Sequence, residues 1–258
     1  MAIVTLTTDF GTADWFVGSM KGVIYGIQPD VNIVDITHEV PPGDIRTAAF
    51  LLMADYKCYP RLTVHCAVVD PGVGSDRPAI AVRTTDYHFV GPDNGVLSWA
   101  LAREKVLEIR QLTNQDVFRQ PVSPTFHGRD IFAPVAARLT QGVLLDWIGP
   151  EVSDYQELEW PVAELRGETL TGQILHVDRF GNCVTNIDAE ALGALSGKEL
   201  TVALPGGQTC PLKKFYKEVE AGQPLALIGS TGFLEIAINT GHAAKQFNLQ
   251  VGTPLEVR

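Results

Sequence analysis

Cysteine is scarce. The chain has four in 258 residues, Cys58, Cys66, Cys183 and Cys210, and no pair shows the two-residue spacing of a zinc knuckle or a redox motif. Four thiols cannot staple a chain of this length, so reduced, partly buried cysteines in a cytoplasmic setting are expected. Long apolar runs are missing too. The longest, Ala48 to Ala54, is far short of the roughly 18 residues a membrane span needs, so no membrane role is expected. Met1 leads straight into Ile3-Val4-Thr5-Leu6, without the basic segment or small-residue cleavage site of a targeting signal. Positive charge is in deficit. Against 30 Asp plus Glu stand 20 Lys plus Arg, a net charge of −10, which argues against nucleic acid as a partner, since a phosphate backbone requires a positive field. There is no P-loop, zinc-protease helix motif or serine elbow. The carboxylates and histidines fall into no metal-ligand spacing, so neither a metal nor a cofactor is expected.

What is present is a core. Hydrophobic residues make up 45% of the chain, enough for one large domain or two small ones. The first half alternates strand and helix signals. Ile3–Thr7 is β-rich. From Trp15 to Ile27, Phe16, Met20, Val23, Ile24 and Ile27 recur at helical spacing. Asn32–Ile36 is the next strand, and Asp44 is placed to cap a helix whose buried stripe is Ile45, Ala48, Ala49 and Leu52. Leu62–Val69 is an apolar run suited to a strand covered on both faces. Two further strands, Ala79–Arg83 and Tyr87–Val90, precede a helix at Val96–Ala102, an extended stretch at Val106–Ile109 and a helix over 131–139. This alternation predicts an α/β/α domain over 1–149 with a largely parallel central sheet. Residues 150–166 are acidic and lack a period, as in a linker. Short β runs punctuated by Gly and Pro then predict a smaller all-β barrel over 167–258.

Polar residues gather at the predicted strand ends. In an α/β sheet the carboxyl edge is where ligands bind. Asp9, in the first such cluster (Thr7 to Asp14), either takes two ribose hydroxyls side by side or caps the following helix, as Asp14 could. The second cluster, Asp70-Pro71-Gly72-Val73-Gly74-Ser75-Asp76-Arg77, follows the most buried strand. Its glycines allow close backbone approach, or make a surface turn. It is no dinucleotide fingerprint, because Arg77 replaces the third glycine. The third, Thr125-Phe126-His127-Gly128-Arg129-Asp130, sets a histidine at a helix start, where the dipole favours the neutral ring. The fourth, Asp178-Arg179-Phe180-Gly181-Asn182, offers a ring to stack and an amide to read a base edge, or a plain β-turn. The fifth, Gly229 to Glu235, contains Ser230 and has the look of a hairpin.

Together these five clusters, in order from Val4 to about Ala244, closely resemble the S-adenosyl-L-methionine hydroxide adenosyltransferases, relatives of fluorinating and chlorinating enzymes that act on the same substrate. The resemblance implies an N-terminal α/β domain, a C-terminal barrel, and a homotrimer with substrate held between neighbouring subunits. It implies hydrolysis of S-adenosylmethionine to adenosine and L-methionine, with no cofactor. It places Asp9 on the ribose hydroxyls and makes Asp70, Arg77 and His127 the catalytic set around the attacking water. Phe126 lines the reacting pocket, Phe180 and Asn182 hold adenine, and Phe215 (or its neighbour Tyr216) adds a second ring. Asp178 and Ser230 hold the amino-acid end. The halogenating relatives carry tyrosine in place of Asp70 and serine in place of Gly128. A carboxylate there repels halide, so water is the expected nucleophile. The fluorinating relatives carry arginine in place of Thr231, and serine is the residue expected in place of His242.

The chemistry sets the roles. The leaving group departs as a neutral thioether and needs no acid. Free hydroxide at pH 7 costs about 12 kcal/mol relative to bulk water. Arg77 stays charged and suits charge stabilisation. Asp70 beside it is an orienting acceptor, and His127 is the expected proton acceptor, with the reverse assignment of Asp70 and His127 as the alternative. Two other functions fit parts of the pattern. One is a metal-dependent nucleotidase or phosphohydrolase using Asp9, Asp14 and Asp70. The other is a non-catalytic protein that binds S-adenosylmethionine or adenosine.

Overall fold

The structure is a computed structural model and describes residues 2–195 and 200–258. The chain forms two compact units, which meet in sequence between Glu159 and Trp160.

In the N-terminal unit the order is β1 (Ile3–Thr8), α1 (Phe16–Ile27), β2 (Asn32–Thr37), α2 (Ile45–Asp55), β3 (Val64–Val68), β4 (Ala79–Thr84), β5 (His88–Pro92), α3 (Ser98–Leu101), β6 (Val106–Gln111) and α4 (Ala133–Thr140). The strands lie side by side as β2-β1-β3-β5-β4-β6. The β2-β1-β3-β5 portion is parallel, whereas β4 runs antiparallel to both β5 and β6. The sheet is therefore mixed. All five residues of β3 are buried, as its apolar run predicted. Val64, Cys66 and Val68 pack with Met20 and Ile24 of α1 and Ala133 and Ala136 of α4. Their alternates Ala67 and Val69 pack with Ala48 and Leu52 of α2 and Leu101 of α3. The period of two in a strand thus feeds two cores, one per face, and yields three layers. Asp44 caps α2 as expected, accepting from Thr47 N at 2.9 Å and Thr47 Oγ1 at 2.7 Å.

The C-terminal unit comprises β7 (Glu164–Arg166), β8 (Thr169–Val177), β9 (Cys183–Asp188), α5 (Ala189–Gly193), β10 (Thr201–Ala203), β11 (Thr209–Pro211), β12 (Pro224–Ile228), β13 (Phe233–Ile238), α6 (Ala243–Gln246) and β14 (Pro254–Val257). Its strands pair antiparallel along β11-β10-β14-β8-β9-β13-β12, with β7 added on β8. A bridge between Leu212 and Ala226, with Lys213 N donating to Ala226 O at 2.7 Å, joins the two ends of that path. This contact nearly closes the sheet and makes it barrel-like, with β7 left as an edge. The strand β7 lies inside the stretch expected to be a linker. Among the described residues, no helix is long and apolar enough to cross a membrane, and all four cysteines are free, Cys66, Cys183 and Cys210 of them buried.

Candidate active site

The order β2-β1-β3 contains a topological switch. From β1 the chain crosses to β2 on one side, and it then returns to β3 on the other. Two loops leave the carboxyl ends of β1 and β3 in opposite directions and open a crevice between them. The register sets Thr8 beside Val68, so Asp9 and Asp70 emerge from neighbouring strands at the same edge. A cavity of about 550 Å³ lies there, lined by Asp9, Phe10, Phe16, Pro42, Gly43, Asp70, Phe126, His127 and Gly128 among others. That volume is within the usual range for small-molecule sites.

Two of the expected residues, Asp70 and His127, converge on the guanidinium of a third, Arg77. Arg77 Nε donates to Asp70 Oδ1 at 2.8 Å, and its Nη2 makes a second, short contact with Asp70 Oδ2. The same Nη2 lies 2.9 Å from Nδ1 of His127. Nη1 donates to Pro78 O at 3.1 Å, and the guanidinium carbon sits 5.3 Å from the Phe132 ring centroid. The pairing brings Asp70 and His127, 57 residues apart in sequence, onto a single charge. The backbone makes the meeting possible. Gly74 has φ +79°, and its Cα faces Pro124 O so closely that a Cβ would overlap it. The 70–77 loop can thus lie against the 124–127 segment only with glycine at that point.

The guanidinium carries no lone pair, so Nδ1 of His127 must accept from it. A neutral imidazole then keeps its proton on Nε2, a tautomer assigned from the contact. Burial holds His127 below its ordinary range, and the Arg77 charge pushes the same way, against smaller opposing effects of Asp70 and Asp130. With that tautomer the free ring atom is an N–H donor, which suits the arrangement expected as the alternative, Asp70 as acceptor and His127 orienting.

The other N-terminal residues fall around this cluster. Asp9 does not cap α1, whose first residue follows Trp15 without a side-chain cap. Instead Asp9 Oδ2 accepts from Gly43 N at 2.8 Å. Phe126 is buried and packs edge-on against Phe10 at 5.9 Å and Phe16 at 5.2 Å. Asp130 plays a structural part. It is fully buried, held by Arg129, Arg119 and Ser123 N, and it fixes the segment that presents His127. His127 itself precedes a π-helical turn, Gly128–Phe132, that runs into α4. Sequence reasoning missed Phe10, Phe16 and Gly43 as pocket walls. The signals were there in part: Phe10 stands inside the first polar cluster, Phe16 opens the α1 stripe, and Gly43 follows Pro41-Pro42 in a chain break just before Asp44.

In the C-terminal unit, Asp178 organises a turn. Its Oδ1 accepts from Phe180 N at 2.9 Å and Asn182 N at 2.8 Å, and its Oδ2 accepts from Asn182 Nδ2 at 3.0 Å. The Phe180 ring is 73% exposed and the Phe215 ring 55%. Gly181 closes the turn at φ +86°, directly against the ring of His242, which also accepts from Lys245 N at the start of α6. Ser230 sits at the tip of the β12–β13 hairpin. Below it lies a residue that had been given no role. Glu235 is 8% exposed, accepts from the Tyr216 hydroxyl at 2.7 Å, and places Oε2 against Gly229. Burial lifts its carboxyl above the usual carboxylate range, the Tyr216 hydrogen bond opposes this, and the Asp178 charge adds to it. Among the described residues, no group of three or more His, Cys, Asp or Glu is placed to share a metal ion.

An α/β unit with a charged Asp–Arg–His cluster at its switch point, followed by a nearly closed, barrel-like β unit, defines a recognisable class. The chain belongs to the SAM hydroxide adenosyltransferase family, whose N-terminal domain matches residues 4–149 and whose C-terminal domain matches residues 172–256. It is 40% identical over 257 residues to a Salinispora tropica protein named (R)-S-adenosyl-L-methionine hydrolase, covering 98% of this chain and 97% of that one. A crystal structure of an uncharacterized conserved protein from Thermotoga maritima matches with a TM-score of 0.94 and 37% identity, over 100% of this chain and 99% of the other. A Nocardia brasiliensis protein named Fluorinase is more distant, 26% identical over 289 residues, covering 99% of this chain and 96% of that one.

Proposed function

We propose that this chain is an S-adenosyl-L-methionine hydrolase. Water attacks the ribose C5′, the C5′–sulfur bond breaks, and adenosine and L-methionine leave with one proton released. The observation that carries the reading is the convergence of Asp70 and His127 on Arg77 at the crevice that Asp9 also lines.

The geometry suggests how the cost of hydroxide is avoided. Water attacks as the neutral molecule, oriented by the Nε2–H of His127. As the C–O bond forms, the oxygen becomes a protonated alcohol, a strong acid. A weak base then suffices, and Asp70 qualifies because each of its oxygens keeps a second lone pair beyond its bond to Arg77. Arg77 holds both partners and stabilises the carboxylate before transfer. The sulfonium leaves uncharged, so a pocket walled by Phe10, Phe16 and Phe126 favours the charge-dispersing step. Asp70 repels halide, which supports water over chloride or fluoride. Asp9 takes the ribose hydroxyls through Oδ1. Phe180 and Phe215 stack on adenine, Asn182 reads its edge, and Asp178 and Ser230 hold the amino-acid end. The reading extends to a cytoplasmic homotrimer in which neighbouring copies enclose the substrate, supported by the exposed Phe180 and Phe215 rings. It requires no metal.

The test is incubation with S-adenosylmethionine, with and without a chelator, followed by chromatography for adenosine and methionine. Turnover unaffected by chelator is expected. No product between pH 6 and 9 refutes the enzyme reading, and binding without turnover would mark a sensor instead. His127→Gln keeps an N–H donor but no base, and should retain activity within about tenfold, whereas loss of a true base costs about 10²–10⁴.

A further inference from the structure

A polar chain runs from solvent to Thr8, the residue before Asp9 of the crevice wall, and no step of the proposed reaction uses it. At the outer end Lys21 Nζ meets Asp35 Oδ2 at 2.6 Å. Asp35 Oδ1 lies 3.0 Å from Nε2 of His38, an electrostatic approach without the alignment of a full hydrogen bond. His38 is buried at 4% exposure, and its Nδ1 is 2.8 Å from Thr8 Oγ1. Thr8 Oγ1 in turn accepts from Phe10 N at 3.2 Å. The main chain doubles the tie, with Gly11 N donating to His38 O at 2.7 Å and Val40 N to Thr8 O at 3.4 Å. Asp9 lies between these anchors.

The proton directions follow by elimination. A ring lone pair facing the Asp35 carboxylate would be repelled, so in neutral His38 the proton sits on Nε2. Nδ1 then accepts the single hydroxyl proton of Thr8, and one Thr8 lone pair is left to take Phe10 N–H. The hydroxyl is thus fixed at both ends. The hydroxyl–imidazole–carboxylate order matches that of a nucleophile triad. However, Thr8 is wholly buried and its oxygen already serves a backbone N–H, so the set orders the chain and does not attack. What it orders is the three-residue exit from β1, where the left-handed Gly11 (φ +64°) would otherwise leave the backbone free to swing.

We infer that His38 is a positioning residue for the ribose end of the substrate: by locking Thr8, Phe10 and Gly11 it keeps the Asp9 carboxylate in the crevice wall, against Gly43. This rests on the reading of Asp9 as the ribose ligand. The set touches no reacting atom, so its removal weakens binding and spares the chemical step.

The experiment measures kcat and KM for S-adenosylmethionine, and calorimetric binding of adenosine, for the wild type, His38→Ala, His38→Asn, Thr8→Val, Asp9→Ala and the His38→Ala/Asp9→Ala double variant. His38→Ala and Thr8→Val should raise KM and the adenosine Kd about tenfold while kcat stays within about threefold. His38→Asn, whose short amide can still reach Thr8, should recover most of the loss. In the Asp9→Ala background, His38→Ala should add less than twofold, since the group it positions is gone. An equal loss in both backgrounds, or a loss confined to kcat, overturns the inference. Thr8→Val removes only a hydroxyl, so it decides the matter if His38→Ala fails to fold. Turnover that ignores these substitutions sinks the positioning role and leaves the hydrolase reading intact. Adenosine binding that depends on His38 without any turnover does the reverse, and absence of both adenosine binding and turnover sinks both.

Discussion

Acid should destabilise the N-terminal unit, and the share owed to one histidine can be worked out. His65, on the strand that leads to Asp70, is fully buried. Its Nδ1 meets Thr5 Oγ1 at 2.8 Å on the strand that leads to Asp9, and its Nε2 has no partner. The rings of Tyr56, Tyr59, Tyr87 and Phe89 surround it at 5.2 to 5.9 Å. Apart from the Thr5 hydroxyl no polar side chain hydrogen-bonds to the ring, and burial lowers the imidazole from 6.5 to about 3. The folded pKa lies below the unfolded one, so the unfolded chain binds the extra proton. Stability is complete above about pH 6.5 and falls as pH drops towards 3. Each pH unit costs about 1.4 kcal/mol, so about 2 kcal/mol is lost by pH 5, a large share of a typical reserve. Urea denaturation at pH 7.5, 6.0 and 5.0 should be compared between the wild type and His65→Gln. The variant starts less stable but should lose about 2 kcal/mol less over the interval. Burial also lowers His88 and His127, but they are present in both proteins and cancel in the difference. Equal slopes, agreeing within about 0.5 kcal/mol, would refute the reasoning.

Further outcomes follow from the same geometry. Arg77→Lys replaces a fork that grips both Asp70 and His127 with a single point charge, and kcat should fall about 100-fold with little change in KM; steady-state kinetics check this. Gly74→Ala combines an unfavourable φ with a clash on Pro124 O, and should cost about 2 kcal/mol or more in denaturant titrations while also lowering kcat by displacing Arg77. Glu235→Gln removes a carboxyl that burial penalises when charged and keeps an acceptor for Tyr216. Because the folded pKa is raised, the penalty applies at high pH, so Tm should rise at pH 8 and stay unchanged at pH 4.

Much of this was legible in the chain. The β3 run, the stripe of α1 and the Asp44 cap are local signals, and the structure keeps them. The polar clusters at strand ends pointed to the crevice because the carboxyl edge of a parallel sheet is fixed by topology. Strand direction was harder. Only three residues separate β4 from β5, which permits nothing but an antiparallel return, so that signal was present and carried less weight than the alternation around it. The strands β7 and β11 have three residues each, too few to show a period. How Asp70 and His127 divide their roles stayed open in the string, because it turns on which ring nitrogen meets Arg77, and that follows from the approach of two loops through Gly74. The part Asp178 plays in bracing the Phe180–Asn182 turn was hidden for the same reason, since a carboxylate in a string shows its charge and not its partners.

The contact between Gly181 and His242 has a consequence for descent. A side chain gained at 181 collides with the imidazole, while a smaller residue at 242 empties the space and loosens the start of α6. Position 181 is held to glycine twice over, by this contact and by its left-handed φ of +86°, so a smaller residue at 242, such as the serine expected of the family, leaves 181 no freer to change.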